Sequence, residues 1–600
     1  MLQALIVLLI SIGLLNYTFK KMSTKKTYEF GLDMAELEKR THKDFITTKE
    51  LLKPDSEEYL SLAEGDKQAL KHLVKAGAIL ENIEYQIDDP DNLPFKNFLE
   101  EEIKKGNKQA ELTKILFDAQ KGINSLDRLS NKVHLAKGIV EKPGIGVYPE
   151  DLSKEEFHSI LIKMINENKV DEVKNILNQR SIVVRDGKEY LKAIDYVVYF
   201  KDDFKKIADE LDLASKVSTN KDFNEYLQLQ SKALLTPDPM LDAYADKKWA
   251  ELQDTPLELT LTRENYEDQL TGTCIENSEL STLLKKHNIN PVPKDCLGLR
   301  IGIINKNGTE ELTKIKKYLP TLSKNMPFNN EYEQTISSDK ETKQTMVDVD
   351  LVMLAGNVGQ YRAGITVAEN LPNDDKLSFK IGGGRRNVYH RQIRFISDMK
   401  LLQERLDGTL DKEQQKYYLT EAYHWFVIGH ENCHSLGPKK ANDKLGKYSH
   451  IIEENKADMG SLAFLDLLTE LGMYTEEKKK EIIVTYVLDS FLKTKPTIAQ
   501  AHRVRTVMQN YYMFKKGVYE LTKDQKVHVN IDKAVNAGKE MLAEIVRVQI
   551  DDDFAKGEKY VLDNFVWTEE MEIIGQKLQK LNTQLNGRLE TTLADKLLKE

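Results

Sequence analysis

Two short strings in the second half of the chain constrain its fold and its chemistry more than any other feature. The first is His-Glu-Asn-Cys-His at residues 430–434, and the second is Glu-Glu-Asn-Lys-Ala-Asp at residues 453–458. On a helix, side chains four positions apart lie on one face, with Cβ atoms about 5–6 Å apart. His430 and His434 can therefore direct their ring nitrogens at one cation if the first string is helical.

The residue types in the two strings suit an open Zn²⁺ site. Catalytic zinc takes three protein ligands and keeps one position for water. The two histidines supply two ligands, and the Glu453–Glu454 pair offers a carboxylate as the third. Glu431 follows His430 by one residue, so its side chain is close to the metal but does not point from the ligand face. The general base of a zinc hydrolase takes this position. Asp458, one turn after Glu454, can accept the free N–H of a ligating histidine.

The surroundings of the strings support helices of limited length. Residues 423–428 are apolar and precede the first string, while Leu-Gly-Pro at 436–438 is a helix-stop signal. Residues 449–471 carry a broad apolar face and are predicted to form a second helix that ends at Gly472. The pattern therefore predicts two helices that face each other around one Zn²⁺ per chain.

Plainer interpretations of the same residues exist. Two helical histidines beside a solvated acidic face would give these strings without any metal. His450 is either a competing ligand or a surface histidine, and Cys433 is a small buried residue rather than a thiolate ligand. We favour the metal site because each string supplies what the other lacks.

Several separated blocks of the chain, besides the two strings, resemble the dipeptidyl peptidase III metallopeptidases. The blocks are Val-Tyr-Pro-Glu-Asp-Leu at 147–152, Glu-Asn-Leu-Pro-Asn-Asp at 369–374, Arg-Asn-Val at 386–388 and Ala-His-Arg at 501–503. They follow the order of that family. The resemblance implies a zinc peptidase that releases dipeptides from the amino end of short peptides.

The resemblance also implies a role for each candidate site residue. At the metal it places the ligands His430, His434 and Glu454, the base Glu431, and the supporting carboxylates Glu453 and Asp458. It places Asn370 and Asn373 on the free amino terminus of a peptide, and His502 on the transition state. From the residues alone, the two asparagines are turn residues around Pro372, and His502 is either an oxyanion donor or a structural histidine.

The chain departs from the family in two respects. The family's usual metal motif has an extra residue before the second histidine, whereas this chain has the five-residue form of other zinc peptidases. The family's substrate-contacting tyrosine, expected before Gly364, has no obvious counterpart, since the region holds Val-Asp-Val-Asp at 347–350 and Tyr361. Two alternatives therefore remain: a zinc peptidase of other cleavage specificity, and a non-catalytic zinc protein that binds peptides.

Composition limits the partners and the compartment. A net charge of −9 argues against nucleic acid as a partner. Three cysteines cannot form a disulfide framework and are compatible with a reducing compartment. Residues 2–15 are almost wholly apolar, so residues 1–21 are a signal, an anchor or a misassigned start before Met22. We expect a cytoplasmic body, with export or membrane anchoring through residues 2–19 as the alternative.

Periodicity along the chain predicts a predominantly helical α+β fold with two lobes separated by a cleft. Short β-branched runs between residues 257 and 388 predict strands, and helical spacing dominates elsewhere. We expect a mixed lobe at residues 22–350, β-rich at about 257–350, and a mainly helical catalytic lobe at 351–600 that carries the zinc site. A bound peptide would add a strand to the sheet. Residues 569–600 are predicted to form a pair of helices.

Overall fold

The computed structural model describes residues 26–42, 46–126, 132–264, 268–334, 345–357, 367–371, 377, 380–393, 399–438, 444–498, 500–581 and 586–600. The apolar segment at residues 1–21, Tyr361 and Asn373 lie outside the described residues. Among the described helices, none is both long enough and apolar enough to cross a membrane.

Helices dominate both halves of the chain. The helices of the amino-terminal half are Met34–Thr41, Glu57–Leu60, Glu64–Asp88, Asn92–Lys104, Lys108–Gln120, Lys154–Asn166, Val170–Ile176, Tyr196–Tyr199, Lys201–Val217, Lys221–Ala233, Pro239–Glu251, Gln269–Gly272, Ser278–Lys286, Lys306–Thr313 and Leu319–Lys324. Those of the carboxyl-terminal half are Met399–Thr409, Thr420–His434, Ser449–Ala463, Leu465–Glu470, Glu476–Asp489, Ala501–Lys515, Ile531–Asp551, Phe554–Asn564, Glu569–Lys580 and Thr592–Lys599. The predicted helical character is confirmed.

Five strands form the main sheet. They are Leu257–Glu264, Cys296–Asn305, Thr345–Gly356, Ala368–Leu371 and Arg386–His390. The last of these inserts between the third and the fourth, parallel to the third and antiparallel to the fourth. Ala368–Leu371 is therefore at the edge of the sheet, and we call it the edge strand.

The inner strands of the sheet are buried almost throughout their length, including charged side chains such as Arg300, Asp348 and Arg386. The helix Glu64–Asp88 covers one face. Gly77 allows its close approach, since a Cβ there would meet Met353 Sδ at 3.0 Å and Ile301 Cδ1 at 3.1 Å. Strand pairs outside this sheet are Ile46–Glu50 with Asn586–Glu590, Asn124–Leu126 with Lys132–His134, Ser181–Asp186 with Tyr190–Asp195, and Tyr519–Leu521 with Val527–Val529.

Two large hydrophobic cores organise the molecule. One surrounds the sheet and includes Ile301 and Val352, and the other surrounds the helices of the carboxyl-terminal half and includes Met459. Each core also includes residues from the other half of the chain. Leu319 packs in the second core, and Leu593 packs in the first. The predicted lobe boundary at residue 350 stays a prediction.

A smaller apolar cluster joins the sheet to the carboxyl-terminal helices. Its buried members are Leu312, Ile315, Met346, Tyr389, Val427 and Ile428. The helix that carries the first sequence string is therefore packed directly against the sheet.

Three helices converge on the two sequence strings. We call them the motif helix (Thr420–His434), the acidic helix (Ser449–Ala463) and the basic helix (Ala501–Lys515). The acidic helix packs against the motif helix, against the basic helix and against the helix Ile531–Asp551. The histidines of one string and the carboxylates of the other thereby lie on facing surfaces.

Two glycines set the crossing of the motif and acidic helices. A Cβ on Gly460 would lie 2.7 Å from the Sγ of Cys433, and one on Gly429 would lie 2.9 Å from the Cβ of Ser461. Real side-chain carbons do not approach so closely, so glycine at both positions permits the short distance between the helices.

We expect Gly460→Ala to destabilise the protein by about 1–3 kcal/mol, because the added methyl overpacks this crossing. Denaturant unfolding measures the change. Gly408→Ala is the matched control, since a Cβ at this other helical glycine meets nothing within 4 Å, and alanine is the better helix former. Equal stability of the two variants would contradict the close-approach argument.

Two sequence predictions are wrong in part. The predicted helix at 449–471 is broken at Phe464 into Ser449–Ala463 and Leu465–Glu470. The predicted helix pair at 569–600 contains a strand, Asn586–Glu590, which pairs in parallel with Ile46–Glu50. That partner lies near the other end of the chain, so local sequence gives no sign of it.

Candidate metal centre

The motif and acidic helices bring His430, His434 and Glu454 together. The two Nε2 atoms are 3.2 Å apart, and the carboxylate oxygens of Glu454 lie 3.6 Å from that of His430 and 3.9 Å from that of His434. Ligand atoms of a tetrahedral zinc with bonds of about 2.0–2.1 Å stand about 3.3 Å apart. Within the described ranges, this is the one group of three such side chains near enough to share an ion.

Each histidine ring is oriented by a carboxylate on the acidic helix. His430 Nδ1 lies 2.7 Å from Asp458 Oδ1, and His434 Nδ1 lies 2.9 Å from Glu453 Oε1. An Nδ1–H donated to a carboxylate leaves the Nε2 lone pair free for a metal. Both predicted supporting carboxylates therefore lie at hydrogen-bond distance from a histidine ring.

Charged neighbours keep these two supporting carboxyls ionised despite burial. Burial raises the pKa of Asp458, but the Arg505 guanidinium and His430 outweigh it and hold this pKa at about 2. Burial acts in the same direction on Glu453, where Lys456 and His434 outweigh it and keep the pKa below its usual range. Both carboxyls are thus ionised throughout the neutral pH range and can accept the Nδ1–H of the facing imidazole.

Glu431 lies inside the site with only 6% of its surface exposed. Burial raises the pKa of its carboxyl above the usual value, and the neighbouring His430 and His434 reduce this effect. A carboxyl with a raised pKa exchanges protons more readily near neutrality than an exposed glutamate does. This property is what a general base and acid in hydrolysis needs.

His502, in the first turn of the basic helix, reaches the same site. Its Nδ1 lies 3.1 Å from Glu454 Oε2, and its side chain is 40% exposed. Burial raises the pKa of the Glu454 carboxyl, but His502 and the two motif histidines outweigh it and lower this pKa well below its usual value. His502 is the most exposed of the residues gathered here, so it borders the open side of the site.

Asn370 brings the edge strand to the motif helix. Its Nδ2 donates to the backbone oxygen of Glu431 at 3.2 Å and to Ser435 Oγ at 3.4 Å, and also to Asn387. Its Oδ1 accepts from Arg385 NH1 at 2.6 Å. Asn370 therefore lies directly beside the candidate base, while Asn373 lies outside the described residues.

Two residues that the sequence left open do not join the ligand group. His450 is one turn before Glu454 but is not among the residues close enough to share an ion. Cys433 is buried and packs against Gly460. The thiol fills space between the two helices, as we expected from the sequence.

The two aspartates at 348 and 350 lie in the third strand of the sheet and are not part of the candidate ligand group. Asp348 and Asp350 are buried and share Arg391, with the closest N–O distances at 3.1 Å and 3.5 Å respectively. Asn305 Nδ2 also donates to Asp350 at 2.8 Å. This cluster serves the packing of the sheet.

Sequence reasoning missed the residues that contact the supporting carboxylates. They are Lys456, Arg505, Gln509 and Gln549. Lys456 lies inside the second string and Arg505 one turn after His502, so their helical spacing offered a signal. Gln549 lies on a helix that no motif connects to the site.

Comparisons with known proteins identify the fold. No family model matches the chain. A curated relative, Nudix hydrolase 3 of Arabidopsis thaliana, is 22% identical over 554 residues, covering 83% of this chain and 66% of that protein. The chain thus spans just under two thirds of the length of this relative.

Two solved structures share the whole architecture. Dipeptidyl peptidase III from Caldithrix abyssi has a TM-score of 0.75 at 23% identity, covering 93% of this chain and 100% of that one. The enzyme from Corallococcus sp. strain EGB has a TM-score of 0.74 at 19% identity, covering 95% and 99%. The chain therefore has the dipeptidyl peptidase III fold. This finding confirms the predicted fold class, and it confirms the predicted resemblance to that family at the level of the fold.

Proposed function

We propose that this chain, with its dipeptidyl peptidase III fold, is a zinc-dependent peptidase that removes dipeptides from the amino end of short peptides. The observation that carries the proposal is the convergence of His430, His434 and Glu454 at ligand spacing beside the buried Glu431. The two structural neighbours, both dipeptidyl peptidases, support the choice of peptides as substrates.

The donor set fits zinc, because two imidazole nitrogens and one carboxylate are the ligands of an open catalytic zinc site. When bound there, Zn²⁺ supplies a Lewis acid that polarises the scissile carbonyl and acidifies water. Glu431 takes the proton of the attacking water and returns it to the leaving amine. His502, at the open side, would donate to the oxygen that gains negative charge.

The edge strand supplies the proposed substrate wall. Asn370 lies beside Glu431, and with Asn373 it would bind the free amino terminus of the peptide. A peptide that adds to a sheet edge is held by its main chain, so that side-chain identity matters less. Such binding suits an enzyme that acts on many short peptides.

We propose two lobes divided near residue 350 and a cytoplasmic body, supported by three free, buried cysteines. About a third of Nudix hydrolase 3 lies outside the match, and we do not include its named activity in the proposal.

A peptide-library digest with mass spectrometry tests the proposed activity. Protein loaded with one equivalent of zinc is expected to release amino-terminal dipeptides. Other fragments would favour a zinc peptidase of different cleavage specificity. No cleavage at all would favour a non-catalytic zinc protein that binds peptides.

Acetylation of the substrate's amino terminus should reduce cleavage by about 10²-fold or more, because a site built to bind the ammonium group leaves its polar groups unpaired. The measurement compares kcat/KM for one peptide with and without the acetyl group. An amidated carboxyl terminus on the same peptide serves as the control and should have a much smaller effect. Equal cleavage of the acetylated and free peptides would contradict the amino-terminal mode.

A further inference from the structure

The two carboxylates that orient the histidine rings are themselves held by buried groups. Each carboxylate contacts one cation and one glutamine in addition to its imidazole. The cations and glutamines come from three different helices. At the site they contact the two carboxylates rather than the candidate ligand atoms, and Arg505 Nε lies 4.0 Å from Glu454 Oε2. These four residues therefore do not serve as ligands, and their contacts are with the carboxylates that orient the ligands.

Asp458 divides its two oxygens between the imidazole and the basic helix. Its Oδ1 faces His430, and its Oδ2 pairs with Arg505 NH1 and accepts from Gln509 Nε2 at 3.0 Å. Gln509 is 1% exposed and is fixed in turn by the Tyr486 hydroxyl, which donates to its Oε1 at 2.8 Å. The plane of the carboxylate is therefore determined by protein on both sides.

Glu453 is held in the same manner by different helices. Lys456 Nζ lies 2.8 Å from Oε1, and Gln549 Nε2, on the helix Ile531–Asp551, donates to Oε2 at 2.8 Å. Lys456 is 3% exposed and also donates to the backbone oxygen of Leu436 at 2.8 Å, just beyond the motif helix. The lysine thus joins the carboxylate to the end of the helix that carries the histidines.

We propose that Lys456, Arg505, Gln509 and Gln549 are positioning residues that set the two histidine rings for zinc before the metal binds. Three carboxylates lie close together here, and burying them without partners would be costly. The Arg505 guanidinium and the Lys456 amine lie against these carboxylates and offset that repulsion, and the two glutamines fix the rotation of each carboxylate. The inference rests on the proposed zinc site and adds the groups that preorganise it.

Zinc affinity of the full-length apoprotein, measured by competition with a chelator, tests the inference. Gln549→Met removes the donor to Glu453. Gln509→Met removes the donor to Asp458 together with the contacts of the same amide to Asn455 and Tyr486. Both substitutions keep nearly the same volume and leave every charge in place. Arg505→Gln and Lys456→Met remove the cations. Loss of a group that contacts a metal ligand directly costs about 10–100-fold in affinity. The four residues act one contact further out, so each variant is expected to raise the zinc Kd measurably, by up to about tenfold.

Matched ion pairs elsewhere provide the controls. Arg405 pairs with the half-buried Asp489 at 3.0 Å, and Lys142 pairs with the buried Asp89 at 2.7 Å, neither near a histidine of the site. Arg405→Gln and Lys142→Met should lower stability but leave the zinc Kd unchanged. If zinc binding depended only on overall packing, a control variant and a positioning variant of equal stability would lose the same zinc affinity.

The outcomes separate this inference from the proposed function. If the wild type does not bind zinc, the proposed function fails with it. If the wild type binds zinc and the two glutamine variants bind it equally well, only the positioning role is overturned. These near-isosteric variants decide the question even if loss of a buried cation prevents folding.

Discussion

Replacement of Glu431 by glutamine is expected to abolish most peptide hydrolysis while zinc stays bound. The amide keeps the size of the side chain but cannot take a proton from water, and loss of a general base costs about 10²–10⁴-fold in rate. The carboxyl is buried beside the two histidines without being one of the three ligands. Steady-state kcat, measured together with zinc content, checks both halves of the expectation.

The control for this variant is Glu421→Gln, at an exposed glutamate in the first turn of the same helix. It should leave kcat unchanged. Undiminished turnover by Glu431→Gln would reject its role as base. A variant that lost its zinc would show instead that Glu431 supports the metal.

Replacement of Glu454 by glutamine should remove both zinc and activity, a larger loss than any outer residue gives. Among the residues that the structure describes, Glu454 is the one carboxylate within 4 Å of both Nε2 atoms. Without it two histidines remain, which is one ligand fewer than an open zinc site has. Its neighbour provides the comparison, because Glu453→Gln alters only the group that orients His434. That variant is expected to weaken zinc binding by about 10–100-fold.

Metal analysis after dialysis against a weak chelator distinguishes the two glutamate variants. We expect Glu454→Gln to retain no zinc and Glu453→Gln to retain part of its zinc. The reverse order would assign the ligand to Glu453 and would require the acidic helix to turn about its axis.

The metal group was predictable from sequence because its geometry is local. His430 and His434 are one turn apart on one helix, as are Glu454 and Asp458 on the next, and helical periodicity fixes those relations without knowledge of the fold. Helical spacing, with Asp458 one turn after Glu454, and the resemblance both favoured Glu454 as the ligand. In the structure, Glu453 faces Nδ1 of His434, whereas Glu454 lies within 4 Å of both Nε2 atoms.

Contacts that depend on how helices cross were not predictable. Gln549 reaches Glu453 only because the helix Ile531–Asp551 packs on the acidic helix, and no periodicity in either segment specifies that crossing. The strand Asn586–Glu590 escaped for the same reason. Its β structure comes from a partner near the opposite end of the chain, and tertiary pairing overrides local propensity.

The close crossing itself left a sequence signal that could have been used. Gly429 precedes the first histidine, and Gly460 lies two residues after Asp458. A glycine inside a helix costs about 1 kcal/mol relative to alanine, so two such glycines in facing helices indicate close approach. In the structure they meet Ser461 and Cys433.

Anomalous diffraction at the zinc edge, from crystals of the zinc-loaded protein, tests the central claim most directly. The account predicts one peak per chain, at about 2.0–2.2 Å from Nε2 of His430, Nε2 of His434 and a carboxylate oxygen of Glu454. A peak bound by other residues, or zinc-loaded crystals without a peak between these three side chains, would contradict it.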